Sequence, residues 1–196
     1  MATYVNDLRL KEIGTGESSG TWGSETNTNL ELIAEAFSYS STGEAIADAS
    51  THTITMADGT SDEARSFYLK CTGGGQACTV TLAPNTLSKV WLIENTTSYT
   101  LAFSQGSGAN ISVAAGQVKM IATDGAGSGA AVYDLFTDLS VAGDLLVAST
   151  IQPAGDTSSG DTAAIGYASA DGIIVTGQGS TSDVTLKNDA DGTVLT

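Results

Sequence analysis

The sequence is poor in several residue types at once: two Pro, two Cys, one His and seven Lys+Arg in 196 residues, with aromatics at only 6%. Two cysteines exclude a disulfide framework, and Cys71 and Cys78 are not spaced as paired zinc ligands. The shortage of basic residues, set against 22 Asp+Glu for a formal net charge of -15, disfavours nucleic acid and anionic lipid surfaces as partners. No apolar run approaches the roughly 18 residues of a membrane span, and residues 1–12 lack a basic segment followed by an apolar one, so neither membrane insertion nor a secretory signal is expected. The hydrophobic fraction of 41% leans on Ala and Val, which predicts a modest core within one domain carrying attached segments.

What is present is unevenly distributed. Every Glu lies at or before Glu94, while from Ile121 onward Asp is the only acid and Lys187 the only base. Glu suits helices and Asp suits turns, so the chain passes from helix-permissive to turn-rich sequence. Residues 1–23 read as an extended arm interrupted by Gly14, Gly16, Gly20 and Gly23. Ser24 then caps a predicted helix over residues 25–38, in which Leu30, Ile33, Ala34 and Phe37 form one apolar stripe. So short a helix requires a partner surface.

From Ala49 to Leu139 the pattern becomes short alternating runs: Thr51–Ala57, Ala64–Cys71, Cys78–Ala83, Lys89–Glu94, Tyr99–Phe103, Asn110–Ala114, Val118–Thr123 and Ala131–Phe136. Their spacing and the turn residues between them predict a small antiparallel β-sandwich or barrel. A hairpin loop over Thr72–Ala77 would set Cys71 opposite Cys78, Leu69 opposite Val80 and Phe67 opposite Leu82, all on one apolar side. Val90-Trp91-Leu92-Ile93 is apolar on both faces, the mark of a central strand. The domain boundaries that follow are 1–43 for arm and helix, 44–140 for the β-domain and 141–196 for a Gly- and Asp-rich remainder. That remainder has brief apolar pieces at Asp144–Val147, Ala163–Tyr167, Gly172–Thr176 and Asp183–Leu186, too few for a core of its own. The alternation of Ile173, Val175, Val184 and Leu186 suggests wound β-structure whose core is shared between copies.

Little in the chain points to chemistry. His52, flanked by Thr51 and Thr53, has no acid or thiol close in sequence and reads as an exposed strand residue. Cys71 and Cys78 fit either a pair of buried thiols or a bridge formed after assembly. Asp124, Asp156, Asp161, Asp171 and Asp183 sit mostly beside Gly, Ser or Thr, as turn residues do, so none stands out as a glycosidase carboxylate. Asn188-Asp189-Ala190-Asp191-Gly192 is a fragment of a calcium loop without its closing Glu, and Gly14-Thr15-Gly16 and Cys71–Gly75 lack the lysine of a phosphate loop. No catalytic, cofactor or metal residues are assigned, and no cofactor is expected.

The stretch Gly16-Glu17-Ser18-Ser19-Gly20-Thr21-Trp22-Gly23-Ser24-Glu25-Thr26-Asn27-Thr28-Asn29-Leu30 resembles the Gly-rich "TWG…TN…N" opening of tail-fibre and related virion structural proteins of tailed bacteriophages. The block from Ser66-Phe67-Tyr68-Leu69 through Ser88–Asn95 to Met120–Gly125 is similar to the small β-domain that follows it there, and Gly172–Gly177 and Ser182–Asn188 resemble the start of a trimeric shaft. The resemblance implies a non-enzymatic homotrimer assembled in the host cytoplasm and located in the virion tail. Its N-terminal part would attach to a tail adaptor, nozzle or baseplate protein, and host receptor or glycan would be reached indirectly. Trp22, Leu30, Ile33 and Phe37 are the expected docking residues, since Trp in a Gly-rich arm has little local core to enter and is enriched at binding hot spots. A head fibre or capsid-decorating protein is the alternative address, and a carbohydrate-binding or depolymerising module the alternative class.

Overall fold

Each of the eight alternating runs contributes a strand, and a further short strand precedes them. The computed structural model describes residues 3–40, 42–137, 164–168, 170–176, 186–187 and 193–195. It comprises two units, Met1–Leu139 and Ser140–Thr196. The first unit opens with an arm, then helix α1 (Trp22–Ala36), then strands β1 (Glu44–Ile46), β2 (Thr51–Thr55), β3 (Tyr68–Gly73), β4 (Cys78–Ala83), β5 (Ser88–Asn95), β6 (Leu101–Ser104), β7 (Ile111–Val113), β8 (Val118–Asp124) and β9 (Val132–Asp134). The run expected to begin at Ala64 starts as strand only at Tyr68, because Glu63–Arg65 forms a short 3-10 turn.

The nine strands make two sheets, ordered β1-β3-β5-β8-β9 and β2-β4-β6-β7. Pairing is parallel for β1 with β3, β3 with β5, β2 with β4 and β4 with β6, and antiparallel only for β5 with β8, β8 with β9 and β6 with β7. The expected antiparallel architecture is therefore corrected to a mixed one. The first six strands alternate between sheets, so the chain winds around the core, and each parallel pair is separated by a strand of the opposite sheet rather than by a helix.

The predicted hairpin is the clearest casualty. Cys71 lies beside Glu44 and Asn95 in one sheet, and Cys78 beside Leu101 in the other. Five of the six residues expected on the inward face, Leu69, Cys71, Cys78, Val80 and Leu82, enter one core, whereas Phe67 precedes β3 and is only half-buried. Alternation reports which residues point inward, and it does so equally for two strands paired edge to edge or facing across a sandwich. What separates the two outcomes is the connection. Gly73 and Gly74 are consecutive left-handed residues, at φ +71° and +72°, and Gly74 N donates to Ile46 O at 2.9 Å, so the chain is turned out of its sheet beside β1.

Trp91 fills the middle of the core, fully buried, with its indole N–H donating to Ala64 O at 2.8 Å. It lies on β5, the third of five strands, as expected of a central strand. Among the described residues, Arg65 Nε is the one buried side-chain polar atom without a hydrogen-bond partner. Asn95 donates to Tyr99 O and Val113 O at 2.8 and 2.9 Å and accepts from Thr97, stapling the arc after β5.

Arg65 joins the arm, the helix and the β-domain. Its side chain has no exposure, and its guanidinium donates to Leu8 O in the arm, to Ala57 O and Thr60 O at 2.7 and 2.8 Å, and to Asp62 at 3.2 Å. Glu35 of α1 approaches it to 3.9 Å and accepts from Asp62 N at 2.9 Å. Burial pushes the Asp62 carboxyl above its usual range despite the neighbouring cation, so the cluster is held by its full set of bonds rather than by one ion pair.

In the second unit β10 (Ala164–Ala168) and β11 (Gly172–Thr176) form an antiparallel hairpin, and β12 (Leu186–Lys187) pairs with β13 (Thr193–Leu195). Ile173 and Val175 of β11 are exposed. The expected pieces Asp144–Val147 and Val184 lie outside the described residues.

Replacing Arg65 with Ala leaves buried carboxylate and carbonyl acceptors unpaired and is expected to destabilise the first unit by about 3–5 kcal/mol, read as a fall in urea midpoint. A change within about 0.5 kcal/mol would show that the cluster does not hold arm and helix in place.

Candidate functional site

The helix begins three residues earlier than its periodicity suggests. Thr21 precedes it without a side-chain capping bond, and the expected cap Ser24 lies inside the first turn, where its hydroxyl donates to Thr21 O at 2.8 Å. Glu25 in that turn suits the positive end of the helix and binds Lys11 Nζ at 2.6 Å. The bond from Lys11, followed by that from Ser18, draws the Glu25 carboxyl down to about 2.

These contacts select the face that packs inward. Leu32 and Ala36 are buried, Asn29 exchanges two hydrogen bonds with the backbone of Lys11 at 2.9 and 3.0 Å, and Glu25 and Glu35 hold the two ends. The predicted stripe of Leu30, Ile33, Ala34 and Phe37 lies roughly a third of a turn away around the helix. It is consequently uncovered: Leu30 is 58% and Phe37 80% exposed, Ala34 is exposed and Ile33 half-buried, and Trp22 on the same side is 63% exposed. Trp22, expected in the arm, stands on the helix and extends this stripe by two turns. All four expected docking residues are thus brought onto one side of one element.

The arm is not loose. Arg9 binds Asp58 at 2.7 Å, Gly59 N donates to Arg9 O at 2.8 Å, Ser88 N donates to Asp7 at 2.8 Å, and Thr3 bridges Glu12. It acts as a strap that fixes α1 and turns the aromatic stripe outward.

Other candidates resolve into structure. His52 is half-buried, not exposed: Nδ1 accepts from Ala47 N at 3.3 Å and Nε2 faces Glu44 Oε1 at 3.0 Å, which joins β2 to β1 across the two sheets. Its partner lies eight residues upstream, beyond what nearest-neighbour reading sees. Asp124 closes the turn after β8 by accepting from Ala126 N, Ala131 N and Tyr133 OH at 3.0–3.2 Å, and the backbone bonds, Ala131 first, hold its carboxyl low. Asp171 sits in the turn between β10 and β11. Asp156, Asp161, Asp183 and residues 188–192 lie outside the described residues. Among the described residues no group of three or more His, Cys, Asp or Glu could hold a metal ion. Cys71 and Cys78 are both buried free thiols, and burial pushes Cys71 up to about 12.

Lys89 was not singled out by the sequence, although it shares the inward parity of Trp91 and Ile93. Its ammonium lies 4.5 Å from the Trp91 ring centre and donates to Ser66 O and Val90 O at 3.1 and 3.3 Å. Burial lowers its pKa to about 7, against the opposing attraction of Asp62.

No family model matches the chain, and neither the curated proteins nor the solved structures include a match to it.

Two measurements check this geometry. Thiol titration without reductant is expected to find no reactive thiol in the folded protein and both in denaturant; absence of both after denaturation would reveal a bridge. Because the folded pKa of Lys89 lies below its ordinary 10.5, the unfolded chain binds the extra proton between about pH 7 and 10.5. Stability contributed through this group therefore rises across that window, and Lys89→Met removes the rise in urea unfolding. An identical pH slope in the variant would refute the buried-amine account.

Proposed function

We propose that this chain is a non-enzymatic structural protein of a tailed-phage virion, a tail fibre or fibre anchor that attaches a homotrimeric appendage to the tail for host adsorption. The observation that carries the reading is the aromatic stripe of α1, which points outward although the helix is firmly strapped to its own domain. A monomeric protein gains nothing from exposing Trp22, Leu30 and Phe37 together, whereas an aromatic anchor on a rigid support is what a docking element requires.

The mechanism is mechanical and multivalent. Arm and domain hold the helix in a preset orientation, so little ordering cost remains at docking. In a trimer three stripes engage one symmetric tail component, and each stripe bound raises the effective concentration of the next. The acidic surface keeps unassembled copies soluble and apart until an apolar contact forms. No catalytic step is required.

Trp22→Ala combined with Phe37→Ser is expected to leave far-UV circular dichroism and urea midpoint unchanged while reducing incorporation into particles by at least about 30-fold, the loss of one hot spot. Electron microscopy of labelled wild-type particles then reads the address, tail or capsid. Normal incorporation of a folded variant would defeat the docking role.

A further inference from the structure

The two sheets differ in the face each turns away from the core. Along the four-stranded sheet the outward positions are Thr51, Thr53 and Thr55 of β2, Thr79 and Thr81 of β4, Ala102 of β6 and Ser112 of β7. Register sets Thr51 beside Thr79, Thr79 beside Ala102 and Ala102 beside Ser112, a hydroxyl-rich surface of the kind a sheet presents to water. The five-stranded sheet does the opposite. Tyr39 bridges to Tyr68, Tyr68 lies beside Leu92, and Leu92 beside Met120, so one apolar row crosses four chain segments. A second row runs Val90, Ala122, Tyr133. The residues between them on β5 and β8, Trp91, Ile93 and Ile121, are fully buried in the core, so both sides of this sheet are apolar. Yet Tyr39 is 52% and Tyr133 51% exposed, with Tyr68, Val90, Leu92 and Met120 only half-buried.

We propose that the outer face of the five-stranded sheet is the contact between copies of this chain, covered by a second copy in the assembled protein. Charge selects that occupant. The chain carries a net -15, and copies of it repel over most of their surface. On this face the charges are few, and Glu94 is already hydrogen-bonded to Tyr68. Lys70 and Glu94 are register neighbours of opposite sign, and Asp124 is engaged by two backbone N–H groups and Tyr133. Two copies can approach here without opposing like charges, and Lys70 of one can meet Glu94 of the other. A basic partner would be drawn to the acidic remainder instead, and anionic lipid would be repelled by it. Size limits the contact as well. Strands of three, six, eight, seven and three residues spaced about 4.8 Å apart give a face on the order of 400 Å². That is among the larger apolar patches monomers leave bare and about half of the roughly 800 Å² each partner contributes to a stable interface, so this face forms the centre of the contact and its rim comes from the surrounding surface.

This assignment rests on the homo-oligomeric part of the proposed function and on neither its virion address nor the helix stripe. The test is native mass spectrometry of the wild-type chain and of Leu92→Glu/Met120→Glu, with circular dichroism as the control for folding. A wild-type oligomer that becomes a folded monomer, its dissociation constant raised at least about 100-fold, is the expected result. A wild-type oligomer that the folded variant retains overturns the sheet face but leaves the oligomer standing, whereas a wild-type monomer overturns both. Hydroxyl-radical oxidation of wild-type Met120 across a dilution series decides the matter without any variant. Protection that is lost on dilution to monomer supports the contact. Oxidation that is the same at every concentration, whether high or low, overturns it and in the low case shows that the chain covers its own sheet.

Discussion

A buried guanidinium governs the arrangement of the first unit. Arg65 has to satisfy its N–H donors away from water, and the acceptors it finds come from the arm at Leu8, the loop at Ala57 and Thr60 and the turn at Asp62, with the helix adding the charge of Glu35 at 3.9 Å from Nε, which has no hydrogen-bond partner. An isolated buried charge is too costly to persist, so these segments are held together or not at all. The orientation of α1 follows from that constraint. With Glu35 at Arg65 and Asp62, and Asn29 and Glu25 on Lys11, the helix has one rotation about its axis left to it, and that rotation points Trp22 and Phe37 away from the domain.

The inward face of nearly every strand could be read from the sequence, because a period of two is imposed by the backbone and by burial regardless of neighbours. Pairing could not. Leu69, Cys71, Val80 and Leu82 alternate identically whether β3 and β4 are joined as a hairpin or face each other from opposite sheets. The difference resides in two left-handed glycines, and Gly73-Gly74 occurs within a Gly-rich loop that also suits a hairpin. Winding is a non-local property: β3 finds its neighbours in β1 and β5, more than twenty residues away in each direction, and no local pattern encodes that distance.

The helix was legible as an apolar stripe but not as an element with two contact faces. Periodicity detects Leu30, Ile33 and Phe37 because they are large, and misses the packing face because its members are Glu25, Asn29, Leu32 and Ala36, which adhere through hydrogen bonds and close fit as much as through apolar area. A stripe found by hydrophobicity is ordinarily the buried one. Here polar contacts claim the inward side and leave the hydrophobic side free. Arg65 and Lys89 were invisible for a related reason, since a cation in a strand pattern is read as solvent-facing unless its parity is checked against Trp91 and Ile93.

The same inversion links the helix to the sheet. Phe37 ends α1, and two residues later Tyr39 begins the apolar row of the five-stranded sheet, so two uncovered surfaces are consecutive in the chain. The four-stranded sheet, smaller but built from the same winding, turns threonines outward, so the winding itself is not the origin of the apolar face. Val and Tyr and Thr all favour strands, and only the presence or absence of water distinguishes where each is useful. Among the described residues of the first unit, most of the large apolar side chains lie in the core, on the helix stripe or on one sheet face, with Val5, Tyr99, Leu135 and Phe136 exposed elsewhere. In the proposed assembly the thin core is therefore an incomplete account of the apolar surface buried, because Leu92 and Met120 join it only when a second copy arrives.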